Sequence, residues 1–92
     1  MIKRFAHKGL KQFFESGSKA GIQPKDAERL RLILTVLNVA LGPNDMALPG
    51  LDLHRLSGNL AEFWSVKVSA DYRVAFRFEG KDAFDVDYVD YH

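Results

Sequence analysis

The chain has no cysteine. Disulfides and thiolate metal sites are excluded, and a reducing compartment fits. It also lacks any apolar stretch approaching the roughly 20 residues needed to span a bilayer. The opening MIKRFAHKGLKQFF is charged throughout, without the uninterrupted apolar segment of a signal peptide. The expected location is the cytoplasm, with no membrane partner. There are no repeats and no low-complexity segments, and 92 residues suit one domain covering 1–92. Nor is there an excess of either charge. The net value of +1 implies nothing about nucleic acid. The distribution is uneven, however: residues 1–37 hold eight Lys and Arg against three acids, and residues 38–92 hold five against nine. This asymmetry permits a basic face, although a solvated helix surface accounts for any single lysine equally well.

What is present is a change of period. Ile2, Arg4 and Phe5 open with a short predicted strand. His7 to Ser16 reads as a helix with Leu10, Phe13 and Phe14 on one side and Gly17 as its stop. Pro24 suits the first turn of a second helix, where Asp26 and Glu28 complement the helix dipole. Ala27, Leu30, Ile33, Leu34, Leu37 and Leu41 then recur at helical spacing until Gly42-Pro43. After Pro49-Gly50 the period becomes two. Strands are predicted around Leu51–Leu56, over Phe63–Val68 and Tyr72–Phe78, and over Ala83–Asp90, separated by short turns. The expectation is an α+β domain of order β-α-α-β-β-β-β. Two N-terminal helices cover one face of a small, mostly antiparallel sheet. Its other face carries Arg73 and Arg77 and stays open.

An open face with arginines suits an anion. The groups near it that can move protons or carry charge are His54, Arg73, Arg77, Asp90, Tyr91 and His92. Cleaving RNA without a metal or other cofactor needs a base for the 2′-OH, an acid for the leaving 5′-oxygen and a fixed cation for the phosphorane. Histidine fills either proton role near neutral pH. Arg73 supplies the cation, and Asp90 or Tyr91 can fill, orient or share a proton role. The α-carboxylate of His92 favours imidazolium, which suits a donor. Blander readings exist for each group. His54 can be a surface histidine, Tyr88 and Tyr91 packing residues, and Arg73 and Arg77 partners of Asp85 or Asp87 across strands. A metal site of His54, Asp90 and His92 has no tight ligand spacing behind it. Strand parity adds a conflict. If Phe84, Val86 and Tyr88 face the helices, Asp90 and His92 do too, and Tyr91 falls on the open face.

The segments MIKRFAHKGLKQFFESG, LHRLSGNLAEFWSV, DYRVAFRF and DVDYVDYH together resemble the HigB toxins of bacterial toxin–antitoxin modules, within the RelE-like superfamily. The resemblance covers essentially the whole chain. It implies an mRNA endoribonuclease that acts in the decoding site of the translating ribosome, without a metal. It also implies an antitoxin partner, HigA-like, with a helix-turn-helix DNA-binding domain, so that operator DNA is reached only through the antitoxin. The family's active-site residues fall on His54, Arg73, Asp90, Tyr91 and His92. Beside them, Arg55, Ser57 and Arg77 of this chain are the expected substrate contacts. One position departs: many relatives read His-Pro-Leu-Lys-Gly where this chain reads His54-Arg55-Leu56-Ser57-Gly58. Arg55 has the reach to compensate, but parity sets it opposite His54. Losing a cation that acts on the transition state costs orders of magnitude in rate, so weaker or differently tuned activity is expected. Two rivals share the fold, a gyrase-type inhibitor that acts by binding and a degenerate copy kept for repression.

Overall fold

A computed structural model describes residues 1–91. Two α-helices, α1 (Lys8–Ser16) and α2 (Ala27–Val39), precede a four-stranded antiparallel sheet. The strands are β1 (His54–Arg55), β2 (Trp64–Lys67), β3 (Tyr72–Glu79) and β4 (Asp82–Asp90), in that spatial order. The fold class is the α+β arrangement expected. The first predicted strand is reduced to two parallel bridges, Ile2 to Ala83 and Phe5 to Val86, on the free edge of β4. No helix among the described residues is long and apolar enough to cross a membrane.

Local chemistry sets the helix ends. The His7 ring accepts a hydrogen bond from the Leu10 N–H at 3.0 Å and caps α1. Gly17, at φ 79°, closes it in the left-handed conformation that glycine adopts without steric cost. In α2 the buried stripe is Ala27, Leu30, Ile33, Leu34 and Leu37. It stops short of Leu41, which lies outside the helix and is 63 % exposed. The Asp45 carboxylate takes the Leu41 N–H at 2.8 Å, so that amide does not extend the helical ladder. Asp26 also differs from expectation. It is 3 % exposed and accepts hydrogen bonds from the Tyr88 hydroxyl at 2.5 Å and the Ser69 hydroxyl at 3.5 Å. It is a buried tie between helix and sheet as well as a first-turn acid. Burial, then the Asp26 carboxylate, pushes the Tyr88 phenol well above its ordinary range.

The core lies between the helices and one face of the sheet, where Leu10, Leu30, Leu34, Val66, Val74, Phe76 and Val86 are fully buried. The region Leu51–Leu56 keeps only two strand residues, because Gly50 at φ 84° and Asp52 at φ 51° break the extended run. The parity of β4 changes at a bulge opposite Ala75 and Arg77, where Asp85 sits at φ 54°. Phe84, which an unbroken alternation with Val86 and Tyr88 would turn to the helices, therefore lies opposite Arg77, whose guanidinium is 5.3 Å from its ring centroid. Val86 and Tyr88, beyond the bulge, return to the core.

Charge holds that bulge. Asp85 accepts from Arg4 Nε at 2.6 Å and from Arg77 Nε at 2.8 Å. These bonds lower its pKa from 3.8 to about 2. A carboxyl with a depressed folded pKa stabilises the fold fully above its unfolded value and loses that contribution as pH falls through the folded value. Asp85→Asn keeps a residue tolerant of positive φ but removes the charge. Its thermal midpoint is expected below wild type at pH 7. The gap should narrow between pH 4 and 2 and be gone below 2. A pH-independent gap in melting curves would show that geometry, not charge, holds the bulge.

Candidate active site

Two rows of residues cross the sheet on the side away from the helices. One runs His54, Ser65, Ala75, Asp87, and the next Lys67, Arg73, Val89. This face is less open than expected. Ser65 is 1 % and Ala75 6 % exposed. The segment 56–63 folds over part of it, and Leu56, Leu60, Phe63, Val89 and Tyr91 line a cavity of about 330 Å³ with Ala75, Asp85 and Asp87.

Arg73 is fixed in this floor. Its side chain is 15 % exposed. Nε donates to the Ser65 hydroxyl at 2.8 Å and Nη2 to the Asp52 carbonyl at 2.5 Å, while Nη1 reaches the Asp52 carboxylate at 3.4 Å. His54 leans on the same residue, with Nδ1 3.1 Å from the Asp52 carbonyl oxygen and 3.4 Å from its carboxylate. Both partners only accept, so Nδ1 carries the hydrogen. In the neutral ring the lone pair is then on Nε2, at the outer end of a largely exposed side chain. Asp52 thus joins a base-competent imidazole to a rigid cation. Its positive φ and the β1–β3 geometry make this role; nothing in its local sequence marks it.

Tyr91 reaches the same face. Its N–H donates to the Asp71 carbonyl at 2.7 Å, and its ring, half exposed, borders the cavity. Asp90 pairs with Tyr72, in the row directed toward the helices. The parity conflict is real: His54, Arg73 and Tyr91 share a face, and Asp90 starts from the other. His92, the predicted acid, lies outside the described residues. Arg55 donates to the Ala61 carbonyl at 2.7 Å and lies over the Trp64 ring, and Ser57 is exposed just before the turn Gly58–Leu60. Arg77 is bound by Asp85 and Glu79, with Glu62 at 3.8 Å. Among the described residues, no cluster of three or more His, Cys, Asp or Glu is placed to hold a metal ion.

Residues 3–92 match the family of RelE-like toxins of the type II toxin–antitoxin system HigB. The chain belongs to the HigB-like toxins. Endoribonuclease HigB of Proteus vulgaris is 37 % identical over 92 residues, covering all of both chains. Toxin HigB-1 of Vibrio cholerae serotype O1 is 31 % identical over 94 residues, covering all of this chain and 98 % of that one. Membership in a type II toxin family brings an antitoxin as partner. In this HigB-like toxin, two residues of the candidate face, Asp52 and Lys67, stand outside the sequence expectations. Asp52 left no local sign. Lys67 did: it is an outward position in the alternation Trp64-Ser65-Val66-Lys67-Val68, and the register sets it beside Arg73.

Proposed function

We propose that this toxin is an mRNA endoribonuclease that cuts on the translating ribosome, with every catalytic charge supplied by side chains. The observation that carries the reading is the joint grip of Asp52 on His54 and Arg73, which sets a proton acceptor and a cation on one face. The name Endoribonuclease HigB, borne by a relative of equal length, supports it. His54 Nε2 takes the proton of the 2′-OH as O2′ attacks the adjacent phosphorus. The P–O5′ bond breaks, and His92 gives its proton to O5′. The products are a 2′,3′-cyclic phosphate and a 5′-hydroxyl. Arg73 stabilises the phosphorane, Tyr91 stacks on a base or shares the proton work, and Asp90 orients the substrate. Ser57 and Arg55 border the substrate, and Arg77 holds the floor beneath it. A net charge of +1 suffices because the ribosome presents the message. The antitoxin is HigA-like, with a helix-turn-helix domain through which the pair reaches operator DNA. The protein acts in the cytoplasm.

The test is expression from a tight promoter, with and without His92→Gln, while mapping 5′-hydroxyl mRNA ends. New ends should appear inside translated frames. They should vanish in the variant and when translation is blocked. Toxicity without new ends, equal in the variant, would replace this reading with an inhibitor that acts by binding.

A further inference from the structure

Arg73 does not meet a phosphate as a whole positive charge. Its guanidinium lies against the Asp52 carboxylate and carbonyl, and three of its nitrogens are engaged. The pair is close to neutral, yet the phosphorane gains a second negative charge as O2′ attacks. The other arginines on this side are also taken: Arg4 by Asp85, and Arg77 by Asp85 and Glu79. Arg55 points elsewhere, over Trp64. The lysine that the family resemblance expects at position 57 is a serine.

Lys67 differs from all of these. It stands directly opposite Arg73 in the β2–β3 register, on the same face, and is exposed. Among the described residues it makes no ion pair. Its backbone is held: its N–H donates to the Leu51 carbonyl at 2.6 Å, and its carbonyl accepts from Arg29 at 3.2 Å. Leu51 precedes Asp52, so one short segment anchors Lys67, Arg73 and His54 together. A long side chain on a fixed backbone brings an ammonium to an anion without a rigid fork.

We propose that Lys67 is the second phosphate contact of the reaction, supplying beside Arg73 the charge that Ser57 does not. The inference rests on the endoribonuclease reading and deepens it. A mobile point charge at this place acts more on the developing phosphorane than on ground-state binding, because the charge it faces grows during the step.

The experiment compares wild type, Lys67→Gln and Lys67→Arg on purified ribosomes carrying a defined message. It measures the single-turnover rate of 5′-hydroxyl formation at saturating toxin, and binding by co-sedimentation. Lys67→Gln should cleave about tenfold more slowly or worse, bind ribosomes like wild type and melt like wild type. Lys67→Arg should recover most of the rate. Lys67→Gln cleaving at the wild-type rate would overturn the proposal. So would a loss of binding with an unchanged saturated rate, which would make Lys67 a ribosomal RNA contact only, or failure of Lys67→Arg to recover. Absence of cleavage by wild type itself would instead overturn the nuclease reading.

Discussion

Arg73→Ala is expected to slow message cleavage by about 10²–10³-fold, the usual cost of removing a fixed donor aimed at developing charge. The expectation follows from how the side chain is held. Ser65 and Asp52 fix the guanidinium before any substrate arrives, so little reorganisation is needed at the moment of attack. Such a group acts on the transition state, and the loss should fall on the saturated rate more than on ribosome binding. Stability should change less. The buried Ser65 hydroxyl loses a hydrogen bond worth about 1 kcal/mol. Arg73→Lys should not restore the rate, because an ammonium cannot make the Nε and Nη2 bonds together. Arg77→Ala provides the comparison. Its partners are the carboxylates of Asp85 and Glu79, so it should lower the melting temperature first and the rate less than Arg73→Ala. Single-turnover cleavage and melting curves on the three variants check this. An Arg73→Ala enzyme within fivefold of wild type would remove Arg73 from the chemistry.

The residues that carry this expectation were legible to different depths. The period of α2 and the alternation of β3 are strong local signals, and both elements stand where the sequence put them, save that α2 ends before Leu41. Their buried stripes are long enough for packing and pattern to agree. His54 and Arg73 are legible by type, because few side chains move protons or hold phosphate. Asp52 is not. Its role comes from a left-handed backbone that turns both its carbonyl and its carboxylate to residues of two different strands. Phe84 departs from the face of Val86 and Tyr88 for a related reason. A pattern of period two cannot show a bulge, and the bulge is set by Asp85 meeting Arg4, 81 residues away in the chain. Asp26 fits a helix start so well that its burial against Tyr88 had no separate sign.

A second large effect comes from a residue without a side chain. Gly9→Ala, in α1, is expected to destabilise the fold, although alanine is the better helix former by about 1 kcal/mol. A Cβ at Gly9 would stand 2.5 Å from the Gly21 carbonyl oxygen and 2.7 Å from its Cα. These are backbone atoms, so no rotamer change relieves the clash. Either the 18–22 loop or the helix must move, and helix movement draws Leu10 and Phe13 out of the core. Overpacking of this kind costs about 1–3 kcal/mol and sometimes more. Because the obstacle is main chain, the upper end applies, and a net loss near 2 kcal/mol remains after the gain in propensity. For a domain of this size that lowers the melting temperature by roughly 10 °C. Gly21→Ala meets the same wall from the other side, with its Cβ 2.5 Å from Gly9 Cα. The two substitutions should therefore not add: once either has forced the segments apart, the second meets an open gap. Melting curves for the two single variants and the double variant test the contact as a pair. Additive losses would mean that each glycine serves a separate local need, and a Gly9→Ala protein as stable as wild type would mean that the helix shifts at no cost.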